Sequence, residues 1–287
     1  MSTTAISTAR GAQPGVGQAT HSAFVVHRNG SVATSEDLAA LAFAGHAHFT
    51  AMQVRDGGVR GLDLHLARLR RASAEMFGRA LGDDEVRAHL RTAIQAGPAE
   101  MSLVATVYSS DGEFTAASPG ARLQMLVRTA PASAGPPGPL ALSAVEHERY
   151  LPQLKHVGEV AKTHLLRQAV ADGFDDAAFL DRQGRFSEAS IWNLAFWDGS
   201  AVVWPRAEML VGTTMGIVRR QLAGIGVAQR ERIVTPADLQ NLAGAVVMNS
   251  WTPGIAVRRI GATDMPEAPA FLRALHDAYG AEPRTAP

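Results

Sequence analysis

The stretch Gly173-Phe-Asp-Asp-Ala-Ala-Phe-Leu-Asp-Arg-Gln-Gly-Arg-Phe-Ser-Glu-Ala-Ser-Ile-Trp-Asn-Leu-Ala-Phe-Trp197 reads as two apolar strands, Ala177–Asp181 and Asn193–Trp197, separated by a turn at Gly184. Glu188 stands between them. A carboxylate there is either a surface turn residue or an acid able to pair with a cationic ring nitrogen and keep that ring protonated.

Working outward, a helix is expected near Val157 to Ala171, closing at Gly173, and before it a strand from Leu140 to Val145. Downstream, Ala201–Val203 reads as a strand after the Asp198-Gly199 turn. A helix from about Thr214 stops at Gly224, another starts at Thr235-Pro236 with Thr235 as its cap, and Ala245–Met248 reads as a short buried strand. Pro131 to Pro139, PASAGPPGP, carries four prolines and two glycines in nine residues, which neither a helix nor a central strand accommodates. The expected division is therefore a tail over 1–22, a first domain over 23–130, a linker over 131–139 and a second domain over 140–287. The first domain reads as α/β. Strands are expected at Ala23–Arg28, Phe49–Val54, Val59–Leu62, Met101–Tyr108 and Ala121–Val127, and helices at Glu36–Ala44, Asp63–Phe77 and Asp83–Ala96.

The chain has 287 residues, with 27 basic against 27 acidic side chains and a formal net charge of zero. No global field therefore favours nucleic acid or an anionic membrane, and a small-molecule client is expected. Cysteine is absent, which removes thiol nucleophiles and thiolate metal sites, and no metal site is expected. No apolar run approaches the ~20 residues of a membrane span. The N-terminus lacks the apolar core of a signal peptide, so a cytoplasmic protein is expected.

Only two of the basic residues are lysines, Lys155 and Lys162. A guanidinium stays protonated, whereas a desolvated lysine becomes a nucleophile, so amine chemistry has two possible carriers. They lie seven residues apart, about two helical turns, and both could face one way. A lysine is most often a solvated surface charge. Lys155, with Leu151, Leu154 and Val157 nearby, is the better placed for Schiff-base chemistry.

Leu210-Val-Gly-Thr-Thr-Met-Gly runs into a helix, and backbone N–H groups at such a start suit a phosphate. Met248-Asn-Ser-Trp-Thr repeats the theme after a strand. These turns, Arg68, a lysine and Glu188 together would suit a phosphorylated aldehyde cofactor. Neither a P-loop nor a GxGxxG motif occurs.

The order of these motifs resembles the class IV aminotransferases, the fold-type IV enzymes of pyridoxal 5′-phosphate. That group includes branched-chain and D-amino acid aminotransferases and aminodeoxychorismate lyase. The resemblance runs from about Phe49 to Ile260. It rests on Phe49-Thr-Ala-Met-Gln-Val-Arg-Asp-Gly, His65-Leu-Ala-Arg-Leu, the 173–190 block with Asn193, Leu210-Val-Gly-Thr-Thr and Met248-Asn-Ser. It implies a two-domain α/β (α+β) fold, with a small N-terminal domain and a larger C-terminal pseudo-barrel, and a homodimer. It implies that Lys155 forms the internal aldimine and shuttles the proton, Lys162 falling too late in the chain. Glu188 would bind the pyridinium nitrogen, and Arg68, Thr213, Thr214 and Ser250 the phosphate.

The implied activity is transfer of an amino group between an amino acid or amine and a 2-oxo acid. An aminodeoxychorismate-type lyase using the same lysine is the alternative, hinted at by Lys155-His156, and a catalytically inactive pyridoxal-phosphate-binding protein is a further one. The sequence departs from the family on the substrate side. An Arg-Gly pair found in several members is missing after Val104-Ala-Thr-Val-Tyr-Ser-Ser, Val160 stands where the branched-chain branch has tyrosine, and Val211 and Thr213 replace proline and isoleucine in the phosphate turn. Arg149, Tyr150, His46 and His48 are further pocket candidates that also read as ordinary surface residues.

Overall fold

Alternation of apolar and polar residues in the first half builds a sheet with two unlike faces. The computed structural model describes residues 24–42, 44–114, 116 and 120–287, so the expected tail over 1–22 lies outside the described residues. The first half forms β1 (Val25–Arg28), β2 (Ser31–Val32), α1 (Ser35–Ala42), β3 (Ala47–Arg55), β4 (Gly58–Arg60), α2 (Leu62–Phe77), α3 (Asp83–Gln95), β5 (Met101–Ser109) and β6 (Leu123–Pro131). Two tight hairpins set the register. Asn29-Gly30 and Asp56-Gly57 each place both central residues at positive φ, 46° and 84° in one and 52° and 69° in the other, the twist that antiparallel hairpins favour.

One face of this sheet packs Met52, Val54, Leu103 and Met125 against Leu66, Leu69 and Leu90 of α2 and α3. Burying each such side chain contributes about 1.5–3 kcal/mol. The other face carries Phe49, Ala51, Ser102, Val104 and Arg128, which line a cavity. α2 ends at Gly78 (φ 72°), whose N–H returns to Ala74 O.

The second half forms β7 (Leu140–Glu146), α4 (Val160–Ala171), β8 (Asp176–Leu180), β9 (Phe186–Ala189), β10 (Asn193–Trp197), β11 (Val202–Pro205), α5 (Thr213–Gly224) and β12 (Gln229–Arg232). A 3-10 helix (Pro236–Asn241), β13 (Gly244–Met248), β14 (Ile255–Ile260), β15 (Thr263–Asp264), α6 (Pro269–Ala281) and β16 (Arg284–Thr285) follow. Its sheet runs β12-β11-β10-β13-β14-β7-β8-β9. Pairing of Asn193 with Glu188 joins β9 back to β10 and closes a ring of six strands. Leu142, Phe186, Leu194, Phe196 and Val247 fill it. The pseudo-barrel expected from the resemblance is present.

Local expectations differ from the structure in a few places. α4 begins at Val160, not Val157, because the backbone of 155–157 is used by β3: Phe49 N–H donates to Lys155 O (2.8 Å) and Val157 N–H to Ala47 O (2.9 Å). The segment after Thr235 closes as a six-residue 3-10 helix, with Thr235 and Asp238 capping each other. The strands β9, β12, β14, β15 and β16 and the helix α6 had not been anticipated. β14 hides its alternation behind Arg258-Arg259 and a bulge at Val257–Arg259.

The two sheets meet along α2 and α5. Arg220 of α5 donates to Asp63 of α2 (2.8 Å) and to Glu282 (2.9 Å from Nε). At Gly61 (φ 63°) a side chain would collide with Ile217, so only glycine lets the backbone lie against α5. β16 crosses back to pair with β4 of the first sheet.

Candidate active site

The cavity between the sheets has a volume of about 450 Å³. It brings together all six residues singled out by the sequence, Lys155, Glu188, Arg68, Thr213, Thr214 and Ser250, and adds Lys162.

Lys155 sits in an irregular segment held to the edge of β3 as an antiparallel bridge between His48 and His156. Its Nζ lies over the Phe49 ring, 4.8 Å from the centroid, and among the described residues it has no carboxylate within ion-pair distance. Burial, reinforced by the positive charges of Arg68, Lys162 and Arg149 and opposed by Glu188, lowers its pKa from 10.5 to about 7. Near neutral pH, about half the molecules therefore carry the free amine at this position.

Lys162, in the first turns of α4, points into the same cavity by a different route: its Nζ is 3.2 Å from Glu188 Oε1. It is a helix residue, as the reading that Lys155 carries the chemistry expects, yet it is no bystander. Glu188, on β9, is 4% exposed and lies between this ammonium and Arg149 Nε at 3.4 Å. Neither contact has hydrogen-bond geometry, and Oε1 is left without a hydrogen-bond partner.

Arg149 is buried, contrary to the surface reading. It donates to Glu159 (2.7 Å), Pro152 O (2.9 Å) and Leu154 O (2.6 Å), which fixes the loop that presents Lys155. Of the other pocket candidates, Tyr150 is exposed, His46 packs edge-on against Phe77, and His48 is fully buried with Nε2 2.8 Å from Ser73 Oγ. None of them lines the cavity.

At the far end, α5 starts at Thr213 with Gly212 as its N-terminal cap, so the first N–H groups of the helix face the cavity. Asn193 clamps this turn to β10. Its side chain donates to Leu210 O (2.6 Å) and accepts from Gly212 N–H (2.9 Å). Thr214 Oγ1 donates to Asn249 O (2.8 Å), tying the turn to the 248–250 turn that carries Ser250. Thr213 Oγ1 is buried with no partner. Arg68, on α2, donates to Val211 O (2.9 Å), and burial lowers its pKa to about 10, with Arg71 and Arg149 adding to the effect.

Several features of this end are open to an anion: a helix start, an unpartnered hydroxyl, a buried guanidinium, and Gly212, where a Cβ would overlap Asn193 Oδ1. Glu188 offers a carboxylate whose Oε1 is flanked by two cations but makes no hydrogen bond, and Lys155 offers a partly neutral amine. The set fits a phosphorylated, ring-bearing aldehyde. Among the described residues no group of His, Asp and Glu is arranged to hold a metal ion, and no helix is long and apolar enough to cross a membrane.

From sequence, Arg149 is a pocket candidate that reads better as a surface residue, Arg128 is not singled out, and Lys162 has no place in the site. The scarcity of lysine was the signal that pointed to Lys162. The two arginines are hidden among 23 others of their kind.

The family model for amino-transferase class IV matches residues 47–260. No curated protein matches the sequence significantly. Among solved structures, the branched-chain aminotransferase of Thermoproteus uzoniensis with norvaline superposes with a TM-score of 0.78 at 18% identity, covering 89% of this chain and 93% of its own. A hypothetical aminotransferase from Mycobacterium tuberculosis in its pyridoxal-phosphate-bound form gives 0.75 at 20% identity, covering 90% and 98%. A protein from Legionella pneumophila described as a 4-amino-4-deoxychorismate lyase gives 0.72 at 20% identity, covering 80% and 89%.

Proposed function

Because the chain belongs to the amino-transferase class IV family and is thus a pyridoxal-phosphate-dependent aminotransferase, we propose that Lys155 is its reactive lysine and that it exchanges an amino group between an amino acid or amine and a 2-oxo acid. The observation that carries the residue assignment is the contrast between the two amines of the cavity. The Lys162 ammonium is held by Glu188 at 3.2 Å, whereas Lys155 meets only the face of Phe49 and is half neutral near pH 7.

When bound, pyridoxal phosphate supplies an aldehyde carbon for attachment and a ring that withdraws electrons from the substrate carbon. Lys155 Nζ would hold the aldehyde carbon and, as a free amine, would move the proton of the substrate carbon bearing nitrogen. Glu188 would face the ring nitrogen and hold a proton there. Arg149 and Lys162 flank Glu188 and fix it in place. Arg68, the N–H groups at Thr213 and Thr214, and Ser250 would hold the phosphate, and Asn193 keeps the turn in shape.

A second reading, elimination of the aminodeoxychorismate-lyase type by the same lysine, is favoured by the Lys155-His156 pair. It is separated by release of pyruvate from aminodeoxychorismate with no amino acceptor. We also propose two units over 23–130 and 140–287 joined at 131–139, a homodimer and a cytoplasmic location. Light scattering tests the dimer.

The decisive experiment is a donor panel on the cofactor-loaded protein. Conversion of the bound cofactor to its amine form by amino donors, lost in Lys155→Ala, is expected. A protein that stays colourless with added cofactor refutes the assignment, and a coloured protein silent to every donor leaves it a binder without catalysis.

A further inference from the structure

Among the described residues the cavity holds four cationic side chains, Arg68, Arg128, Lys155 and Lys162, against one carboxylate, Glu188. Three of the four have partners or a task already described: Arg68 at the Val211 carbonyl beside the helix start, Lys162 on Glu188, and Lys155 as the reactive amine. Arg128 has none. It stands exposed on β6, on the cavity face of the first sheet, and among the described residues its guanidinium makes no ion pair and no hydrogen bond. The guanidinium lies over the Phe24 ring, 5.4 Å from the centroid, a contact that leaves its charge in place.

The register shows where it stands relative to the chemistry. Val104 of β5 pairs with Arg128 on one side and with Ala51 of β3 on the other, so Ala51, Val104 and Arg128 form one row across the cavity floor. With strands about 4.8 Å apart, Arg128 begins about 10 Å from Ala51. Phe49, two residues along β3 on the same face, carries the Lys155 ammonium. The neighbours in the row are small or apolar, so nothing in the sheet competes for the guanidinium. A planar donor fork of this kind matches a carboxylate in bidentate fashion.

We propose that Arg128 binds a carboxylate of the amino-acid and 2-oxo-acid substrates, and so replaces the substrate-side arginine that is missing after β5. The proposal rests on the aminotransferase reading above and names the anion that the cavity is built to hold. The carboxylate is either the one on the reacting carbon or the second one of a dicarboxylic substrate.

The test uses cofactor-loaded wild type, Arg128→Gln and Arg128→Lys. Three donors are offered: benzylamine, which has no carboxylate, norvaline, which has one, and glutamate, which has two. Conversion of the bound cofactor is followed by absorbance, and binding of 2-oxoglutarate and pyruvate is followed through the cavity tryptophans Trp192 and Trp251. Expected are a 10- to 100-fold weaker apparent affinity for acids in Arg128→Gln, partial recovery in Arg128→Lys, and unchanged cofactor affinity and benzylamine conversion. Loss for both amino acids identifies the carboxylate on the reacting carbon, and loss for glutamate alone identifies the second. An Arg128→Gln protein that binds acids as wild type does overturns the proposal, as does a wild type that converts all three donors equally or none. Failure of wild type to hold the cofactor at all is a separate result, against the aminotransferase reading itself.

Discussion

A lysine with its pKa at about 7 is half neutral at pH 7, whereas one at the ordinary 10.5 is neutral in only about three molecules per ten thousand. Lys155 should therefore offer an aldehyde about a thousandfold more free amine than an ordinary lysine at neutral pH. The perturbation is paired substitution, Lys155→Met and Lys162→Met, in cofactor-free protein. The probe is pyridoxal, which lacks the phosphate and leaves the charges around the amine unchanged. Brief exposure from pH 5 to 11, borohydride trapping and peptide mapping give the site and rate of labelling. In wild type the label should lie on Lys155, with a rate that rises with pH and levels off above about 7. Lys155→Met should lose it without transfer to Lys162, whose ammonium is held by Glu188. Lys162→Met removes one of the positive charges that depress Lys155, so its midpoint should move upward toward the ordinary value. Labelling of Lys162 in wild type, or a midpoint near 10, would refute the reasoning.

The same amine weighs on stability. In the unfolded chain Lys155 keeps its proton to about 10.5, and in the fold it loses it near 7, so between these values the unfolded state binds more protons and stability rises with pH. At pH 7 the cost is about 4 kcal/mol, and Lys155→Met should raise the thermal midpoint of the cofactor-free protein by several degrees; an unchanged or lower midpoint counts against it. His48 and His65 are buried, and desolvation lowers each to about 3. Since both titrate near 6.5 when unfolded, stability should fall with pH from about 6.5 toward 3, with a slope approaching 2.7 kcal/mol per pH unit; acid titration of urea midpoints would show it, and a flat profile would not agree. Gly212→Ala keeps a permissible backbone but drives its new methyl into Asn193 Oδ1. Pyridoxal-phosphate affinity should drop about 10- to 100-fold, or about 1.4–2.8 kcal/mol, by equilibrium dialysis, and unaltered affinity would remove Asn193 from the phosphate turn.

Much of this was legible because its causes are local. The Asn29-Gly30 and Asp56-Gly57 hairpins, the Gly78 stop and the Thr235 cap follow from backbone preferences that a few residues determine. Glu188 and the Thr213 turn were legible because an order of motifs, rather than one residue, marked them. The unread part is long-range. That α4 waits until Val160 depends on β3, over a hundred residues upstream, claiming the backbone of 155–157. That Lys162 reaches Glu188, and Arg149 is buried between two acids, depends on how α4 lies against β9. Arg128 was invisible because a strand arginine shows its meaning only when its sheet face is known to be the floor of a cavity.

The bridge between β3 and the Lys155 segment bears on how such a protein is safely made. During synthesis Lys155 is an ordinary protonated amine, as inert toward the aldehydes of a cell as any other lysine. It becomes nucleophilic only once it is buried over Phe49 and the charges of Arg68 on α2, Lys162 on α4 and Arg149 close around it. Neither half of the chain carries that reactivity by itself, so the chemical hazard arises at the same moment as the walls that keep stray aldehydes out.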